Sequence, residues 1–541
     1  MRRSILPVLL VSCCILFAHG AKILVNYTPM TKSHAMGMNR IAREIAERGH
    51  ELLLVAPESD VGPFRLSGAP ILSYGIVPAE DGPGTEFRLS SKRSMATIIT
   101  QLEDLMSRAC IGMMTNATLL EQIKEFDADL MLGEVFYSCT SILASRMDLQ
   151  WVSYFAAAPL EPYLTSIWPG SARRAFTPNP LSFFPQISMS STTQFMTFTQ
   201  RLENMWHFVH DVVQDIMYHR PPVTKLYKRL DFNMNAPVER RRLVLTIAPV
   251  DWAAEWLRPI SPNFKMVGPI LSEPGKPLPA ELEGFMQGAG VQGVLLIALG
   301  TVTETSKEQM LHMAEALAKL PVRVLWRLSP QEIPDKAAIE ALRLGNNTKV
   351  ATWVPQNDVL AHPNTKAFLS HCGVNSMYEA IYHGKPVVAT PFFGDQLNNA
   401  DKMVSKGMAE KVSPAKIGTP EFSQALLKVL TQDSYSQAAK ALSVRIRAHK
   451  RTPVEKAGDW VEHVLETKGY PYLKTPEDEL SFVVRHNLDV YASLAAALYL
   501  LLLLGRKLIA LLARRAGKLL GMAQRDKADS SRMFVNKVKS T

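Results

Sequence analysis

The sequence predicts an α/β protein built from two doubly wound, Rossmann-like domains facing a cleft, with a C-terminal transmembrane helix. Three observations carry that prediction. Short β-rich runs alternate with helical patterns along most of the 541 residues. A Pro-rich stretch, Ser272-Glu273-Pro274-Gly275-Lys276-Pro277-Leu278-Pro279, separates two such series. An uncharged run of 16 residues, Val490 to Gly505, is followed at once by Arg506 and Lys507. With 47% hydrophobic and 20% charged residues, the chain has material for several cores and too little charge for a disordered polymer.

At the N-terminus, Arg2 and Arg3 precede an apolar stretch from Ile5 to Ala18, and the small residues Ala18 and Gly20 suit a cut before Ala21. Residues 1–20 therefore read as a secretory signal. The first domain, 21–271, opens with a buried strand at Lys22-Ile23-Leu24-Val25. Met38, Ile41, Ala42, Ile45 and Ala46 then share one helical face, Gly49 ends the helix, and Leu52-Leu53-Leu54-Val55 resumes as strand: a βαβ unit. Residues 160–220 are rich in aromatics, among them Trp168, Phe183, Phe184 and Trp206, which suit a core or the lining of an apolar acceptor pocket. After the linker, 272–282, the second domain, 283–470, has strands expected at Val294 to Leu299, Val322 to Trp326, Ala367 to Leu369 and Pro386 to Ala389. A membrane span over 490–513 follows, completed by Leu508 to Ala513 if Arg506 and Lys507 snorkel. The basic tail, 514–541, then lies in the cytoplasm and the body in the lumen.

Charge placement decides against a nucleic-acid partner. Of the net charge of +10, residues 506–541 supply +8, from ten basic residues against Asp526 and Asp529, and Arg2 and Arg3 supply the rest. The body between is neutral overall and offers no footprint for a phosphate polymer. Once the signal leaves with Cys13 and Cys14, only Cys110, Cys139 and Cys372 remain, so at most one internal disulfide can form. Asn116-Ala117-Thr118 and Asn346-Asn347-Thr348 are glycosylation acceptors in a lumenal protein, whereas Asn26-Tyr27-Thr28 follows a strand too closely to be accessible.

Ligands of an open parallel sheet collect beyond the carboxyl ends of its strands. In the second domain those positions hold Thr301, then His371, Gly373, Asn375 and Ser376, then Asp395 and Gln396. Gly373 lets backbone approach a ligand, and the helix starting near Asn375 and Ser376 favours an anion such as a diphosphate. Ser376 and Glu379 have the spacing of a capping box, an ordinary structural explanation for both.

The whole segment from Trp353 to Gln396, however, resembles the donor-binding signature of the inverting, two-domain UDP-glycosyltransferases of the GT-B type. Trp353, Gln356, His371, Gly373, Asn375, Ser376, Glu379, Asp395 and Gln396 all stand in its register. The words Trp353-Val354-Pro355-Gln356-Asn357-Asp358 and Ser370-His371-Cys372-Gly373-Val374-Asn375-Ser376 look like those of the membrane-bound animal members, the glucuronosyl and ceramide-galactosyl transferases. The resemblance implies that Trp353 stacks on uracil and Glu379 accepts from the ribose hydroxyls. It further implies that His371, Asn375, Ser376 and Thr301 hold the diphosphate, while Asp395 and Gln396 meet the sugar. The UDP-sugar would be a co-substrate, with no metal or other cofactor.

Family members carry a catalytic His in the loop after the first strand, and here His34 stands there, in Pro29-Met30-Thr31-Lys32-Ser33-His34. An imidazole titrates near lumenal pH and can take the acceptor hydroxyl proton. The family's orienting Asp is replaced by Glu134, one methylene longer. Asp127-Ala128-Asp129 looks like a metal-binding pair but precedes a strand instead of following one. The resemblance implies transfer of a hexose or glucuronate to a hydroxyl of a small lipophilic or lipid acceptor, by a single-pass type I protein of the endoplasmic reticulum membrane. Lys537 and Lys539 suit a retrieval signal. The Arg that meets glucuronate in the glucuronosyl members has no counterpart in Ala248-Pro249-Val250, which favours a neutral hexose, while Arg258 is near enough in sequence to keep glucuronate open. A homo-oligomer is compatible with all of this, and a non-catalytic receptor for nucleotide or lipid is the alternative, against which the retained His34 counts.

Overall fold

The computed structural model describes residues 20–29, 32–64, 66, 68–79, 89–90, 95–135, 137–156, 199, 220–233, 242–257, 260, 262–300, 303–304, 306–330, 332–392, 395–469, 481–485 and 487–538. The signal, the aromatic stretch at 160–220 apart from residues 199 and 220, Thr301, Arg258 and Lys539 lie outside the described residues. The chain divides into two compact units, Met1–Asp478 and Glu479–Thr541.

The first unit contains two parallel sheets. Strands β1 (Lys22–Asn26), β2 (Glu51–Pro57), β3 (Ile71–Tyr74), β5 (Leu130–Glu134), β6 (Trp151–Tyr154), β7 (Leu243–Ala248) and β8 (Phe264–Met266) form one, in the order β3-β2-β1-β5-β6-β7-β8. Strands β9 (Val294–Ala298), β11 (Arg323–Arg327), β12 (Thr348–Ala351), β13 (Thr365–Ser370), β14 (Val387–Ala389) and β15 (Ala409–Lys411) form the other, in the order β12-β11-β9-β13-β14-β15. A short parallel pair, β4 (Leu89–Ser90) with β10 (Thr303–Glu304), joins the two halves directly. The strand order reverses between β1 and β5 in one sheet and between β9 and β13 in the other, and such switch points open the crevices in which ligands bind.

The strands form because their residues are apolar on both faces, as a sheet covered by helices on both sides requires. Helix α1 (Lys32–Glu47) lays Met38, Ile41, Ala42 and Ile45, all fully buried, against the first sheet, on the face read from the sequence. Helices α2 (Met95–Thr115) and α3 (Cys139–Arg146) cover the opposite face, where Cys110 and Cys139 are joined in a disulfide; Cys372 is buried and free. In the second half, α4 (Gln356–Ala361), α5 (Val374–Tyr382) and α6 (Asp395–Ser405) follow β12, β13 and β14. Asn116 and Asn346 are exposed, whereas Asn26 is buried.

Helix α7 (Pro453–Glu466) lies in the sequence of the second domain but packs on α1 of the first. It starts with a complete capping box between Thr452 and Glu455, and its Ala457, Val461 and Val464 enter the α1 core. Arg48 clamps the contact through Asp459 at 2.9 Å, Glu462 at 2.6 Å and the carbonyl of Glu455 at 2.9 Å. The linker is also held on both sides: Glu273 pairs with Arg40 of α1, and its carbonyl accepts from Asn357 of α4.

In the second unit, α8 (Leu488–Val538) is a single 51-residue helix, about 75 Å long at 1.5 Å per residue. It is long and apolar enough to cross a membrane, and it is more than twice as long as a bilayer core of about 30 Å requires.

Candidate active site

The residues singled out in the sequence fall into three groups. The first lies at the β1/β5 switch point. His34 sits in the first turn of α1, and Nδ1 of its ring bonds directly to Oε1 of Glu134, the last residue of β5, across 100 positions of sequence. His34 is a quarter exposed and Glu134 fully buried, so the imidazole reaches the cleft while the carboxylate stays behind it. Burial alone would lower the His34 pKa; the charge and hydrogen bond of Glu134 outweigh burial and raise it, with Asp395 adding to the rise. Asp395 belongs to the second domain, so that electrostatic coupling runs across the cleft. A weak hydrogen bond of 3.4 Å from Asn375 Nδ2 to the carbonyl of Ser33 also spans it.

The second group stitches the loop after β12 to α5. Gln356 donates to Ser376 Oγ at 3.0 Å and also contacts the Glu379 carboxylate. Trp353, three residues before Gln356, is 70% exposed, a large aromatic face open to solvent. The capping-box explanation does not hold: Gly373 is the N-cap of α5, so Ser376 and Glu379 lie within the helix and meet Gln356 instead. Burial lifts the Glu379 carboxyl to about 7, against the opposing hydrogen bond from Gln356.

The third group surrounds the β9/β13 switch point. The His371 ring is wedged between Gly300 and Gly373: a Cβ at either glycine would come within 2.9 or 2.7 Å of its Nε2. Gly300 also has a φ of +92°, which disfavours any side chain there. Burial, with Arg327 adding to it, pushes His371 down to about 4, so it is a neutral ring at neutral pH. Asp395 accepts from Asn399 at 2.8 Å, and burial raises its carboxyl against the opposing pull of His34. Gln396 is buried and its Oε1 accepts the Phe392 N–H at 2.9 Å, holding the loop after β14.

Two residues at this site were given no role from the sequence, although the family resemblance extends over Trp326-Arg327. Arg327, the last residue of β11, donates to the Gly300 carbonyl at 2.5 Å. Asn399 bonds both Asp395 and the Cys372 carbonyl. A strand-end position for the one and i, i+4 spacing from Asp395 for the other were the available signals. The Asp127-Ala128-Asp129 word is structural: Asp127 ends a helix with a φ of 50°, and Asp129 accepts the Lys22 N–H at 2.8 Å.

Residues 84–523 match the model of the family described as "UDP-glucoronosyl and UDP-glucosyl transferase". The chain belongs to this UDP-glycosyltransferase family. It is 29% identical to rabbit (Oryctolagus cuniculus) UDP-glucuronosyltransferase 2B14 over 93% of this chain and 95% of that one. It is 30% identical to human (Homo sapiens) UDP-glucuronosyltransferase 1A9 over 91% and 92%. Among solved structures, a UDP-glucosyltransferase from Polygonum tinctorium matches 83% of this chain and 99% of its own, with a TM-score of 0.58 at 16% identity. The glycosyltransferase of kitacinnamycin covers 83% and 100%, with a TM-score of 0.56 at 18% identity. The architecture of this UDP-glycosyltransferase is thus the GT-B fold, and its co-substrate is a UDP-sugar.

Proposed function

We propose that the protein transfers a hexose or glucuronate from a UDP-sugar to a hydroxyl of a small lipophilic or lipid acceptor, inverting the anomeric carbon, with His34 as general base. The observation that carries this reading is the His34–Glu134 pair facing Asp395 across the cleft. With Nδ1 engaged by the carboxylate, Nε2 is the nitrogen that takes the acceptor proton. As the acceptor oxygen bonds to the anomeric carbon, the bond from that carbon to the diphosphate breaks and its electron pair leaves with UDP. Glu134 orients the ring and stabilises the imidazolium that forms.

The donor is read as lying in the second domain. Trp353 offers a face to uracil, Glu379 accepts from ribose, and neutral His371 with Asn375, Ser376 and Thr301 receives the diphosphate at the start of α5. Asp395 and Gln396 face the sugar, so the anomeric carbon would lie between them and His34. No metal is invoked. The names of the animal relatives favour UDP-glucuronate as the first donor to try. α8 and the basic residues that follow its apolar run support a membrane-anchored protein with a lumenal body, and Lys537 with Lys539 suit an endoplasmic reticulum address.

The test incubates the full-length protein with UDP-glucose, UDP-galactose, UDP-glucuronate and UDP-N-acetylglucosamine and an apolar alcohol, with mass spectrometry of the products. A glycoside of inverted configuration is expected from at least one donor. In His34→Ala, turnover should fall by about a hundred- to ten-thousandfold while UDP still binds. Normal turnover in that variant would sink the reading, and UDP binding without any glycoside would favour a receptor.

A further inference from the structure

Glu134 occupies the place of a shorter acid in the family resemblance, and its second oxygen raises a question that the base assignment does not answer. Oε1 is engaged by His34, but Oε2 is buried with no hydrogen-bond partner. An ionised carboxylate oxygen sealed from water without a donor is costly. Of the other buried polar atoms in the same condition, the Tyr154 hydroxyl belongs to the residue that pairs with Glu134 in the sheet.

The fold brings the two together for identifiable reasons. Glu134 and Tyr154 are paired positions on the adjacent parallel strands β5 and β6, so their side chains leave the sheet on the same face. That face is the one covered by α1: Leu130 and Leu132, which alternate with Glu134, and Val152, which alternates with Tyr154, all belong to the α1 core. The Tyr154 hydroxyl lies against Gly37, one helical turn beyond His34, where a Cβ would come within 2.0 Å of it. Glycine at 37 is therefore what leaves room for a phenol at this depth. Burial and the nearby Glu134 charge both hold that phenol in its protonated, hydrogen-donating form.

We propose that Tyr154 is a positioning residue for the catalytic pair: its hydroxyl and Oε2 of Glu134, both without a partner in this structure, turn toward each other when donor and acceptor are bound, so that the carboxylate is then held between Tyr154 on one oxygen and His34 on the other. The inference rests on the reading of His34 as base and Glu134 as its partner. It also gives a physical reason for the longer acid: the extra methylene carries the carboxylate further off the end of β5, toward the ring in α1 that it already bonds and toward the side of the phenol from β6. The tyrosine acts through Glu134 and touches no substrate. Its proton stays on the phenol throughout; what it changes is how firmly the carboxylate is fixed and how strongly it holds the imidazolium.

The experiment is a double-mutant cycle on the full-length protein in detergent, with kcat and the pH profile of kcat/KM read for Tyr154→Phe, Glu134→Gln and the double variant. The donor is whichever of the four UDP-sugars turns over, and a simple phenol is the acceptor. Tyr154→Phe should lose roughly ten- to a hundredfold in kcat with UDP binding unchanged. Its acid limb should move to higher pH, because a carboxylate relieved of one donor grips the His34 proton more tightly. In the Glu134→Gln background the same change should add little.

Wild-type kcat and an unmoved acid limb in Tyr154→Phe would overturn the proposal, as would an equal loss in both backgrounds, which is the mark of a packing defect. Should Tyr154→Phe fail to fold, Tyr154→Met, which also removes the hydroxyl and fills much of the same space, is read in the same cycle and is expected to show the same loss and the same shift; unchanged behaviour there overturns the proposal equally. Failure of the underlying reading looks different, since His34→Ala or Glu134→Gln would then keep normal turnover.

Discussion

At the scale of single residues, the donor half of the site can be tested apart from chemistry. Trp353→Ala should weaken UDP binding by about 1–3 kcal/mol, the worth of a base stacked on an aromatic face, and calorimetric titration with UDP reads it directly. Glu379 makes a sharper case because its carboxyl titrates near 7. Below that pH it is protonated and accepts poorly from two hydroxyls, so UDP affinity should rise as pH increases through about 7, and Glu379→Gln should flatten the dependence. The effect on stability has the opposite sign. A carboxyl whose folded pKa is raised favours the fold most below its ordinary value of 4.5, and that contribution is lost as pH climbs through about 7. A UDP affinity that ignores pH between 5.5 and 8.5 would remove Glu379 from the ribose site.

At the scale of elements, the site is held by contacts between helices and loops that belong to different halves of the molecule. Arg48 fastens α7 to α1, the helix whose first turn carries His34. Arg48→Met should lower stability by about 1–2 kcal/mol, read as a fall in thermal midpoint; no change would mean that Ala457, Val461 and Val464 dock the helix unaided. A buried pair holds α6: Lys402 lies 2.5 Å from Glu255, and both are almost fully buried. Tyr378 of α5 donates to Glu255 at 3.2 Å and receives the Asp251 N–H at 2.7 Å. Lys402→Met leaves Glu255 charged, buried and without its cation, at a cost of about 3–5 kcal/mol in denaturant unfolding, and Glu255→Gln in the same chain should restore much of it. Because Lys402 and Asp395 share α6, the single variant should also weaken donor binding.

At the scale of the whole molecule, the body and the segment Glu479–Thr541, which carries α8, are separate compact units. A protein ending before Val490 should lose integral membrane attachment and keep the fold of the body. In sealed microsomes the tail of the full protein should be open to added protease, while the body is protected. Protection of the tail would reverse the orientation inferred from Arg506, Lys507 and the basic residues after them.

The class of fold was legible in the sequence because it rests on local periodicity. The Met38, Ile41, Ala42, Ile45 face and the Leu52 to Val55 run state which side of each element is apolar, and alternating such elements leaves parallel sheets as the arrangement that buries them all. The segment from Trp353 to Gln396 was legible for a related reason: three consecutive strand-to-helix turns carry it, and a parallel sheet brings successive turns to one edge. Local pattern also misled at Ser376 and Glu379, whose capping-box spacing is real but sits a turn inside α5.

What the sequence could not determine is which distant side chains meet. The pairing of His34 with Glu134 could be expected from the family resemblance but not from the chain's own periodicity, and the Cys110–Cys139 disulfide, the return of α7 to the first domain and the approach of Tyr154 to Gly37 all depend on strand order and register. Those are decided only when entire sheets assemble, because each contact joins elements whose own periodicity is indifferent to the partner. Periodicity specifies the face that is buried; the packed sheets and helices alone specify what it is buried against.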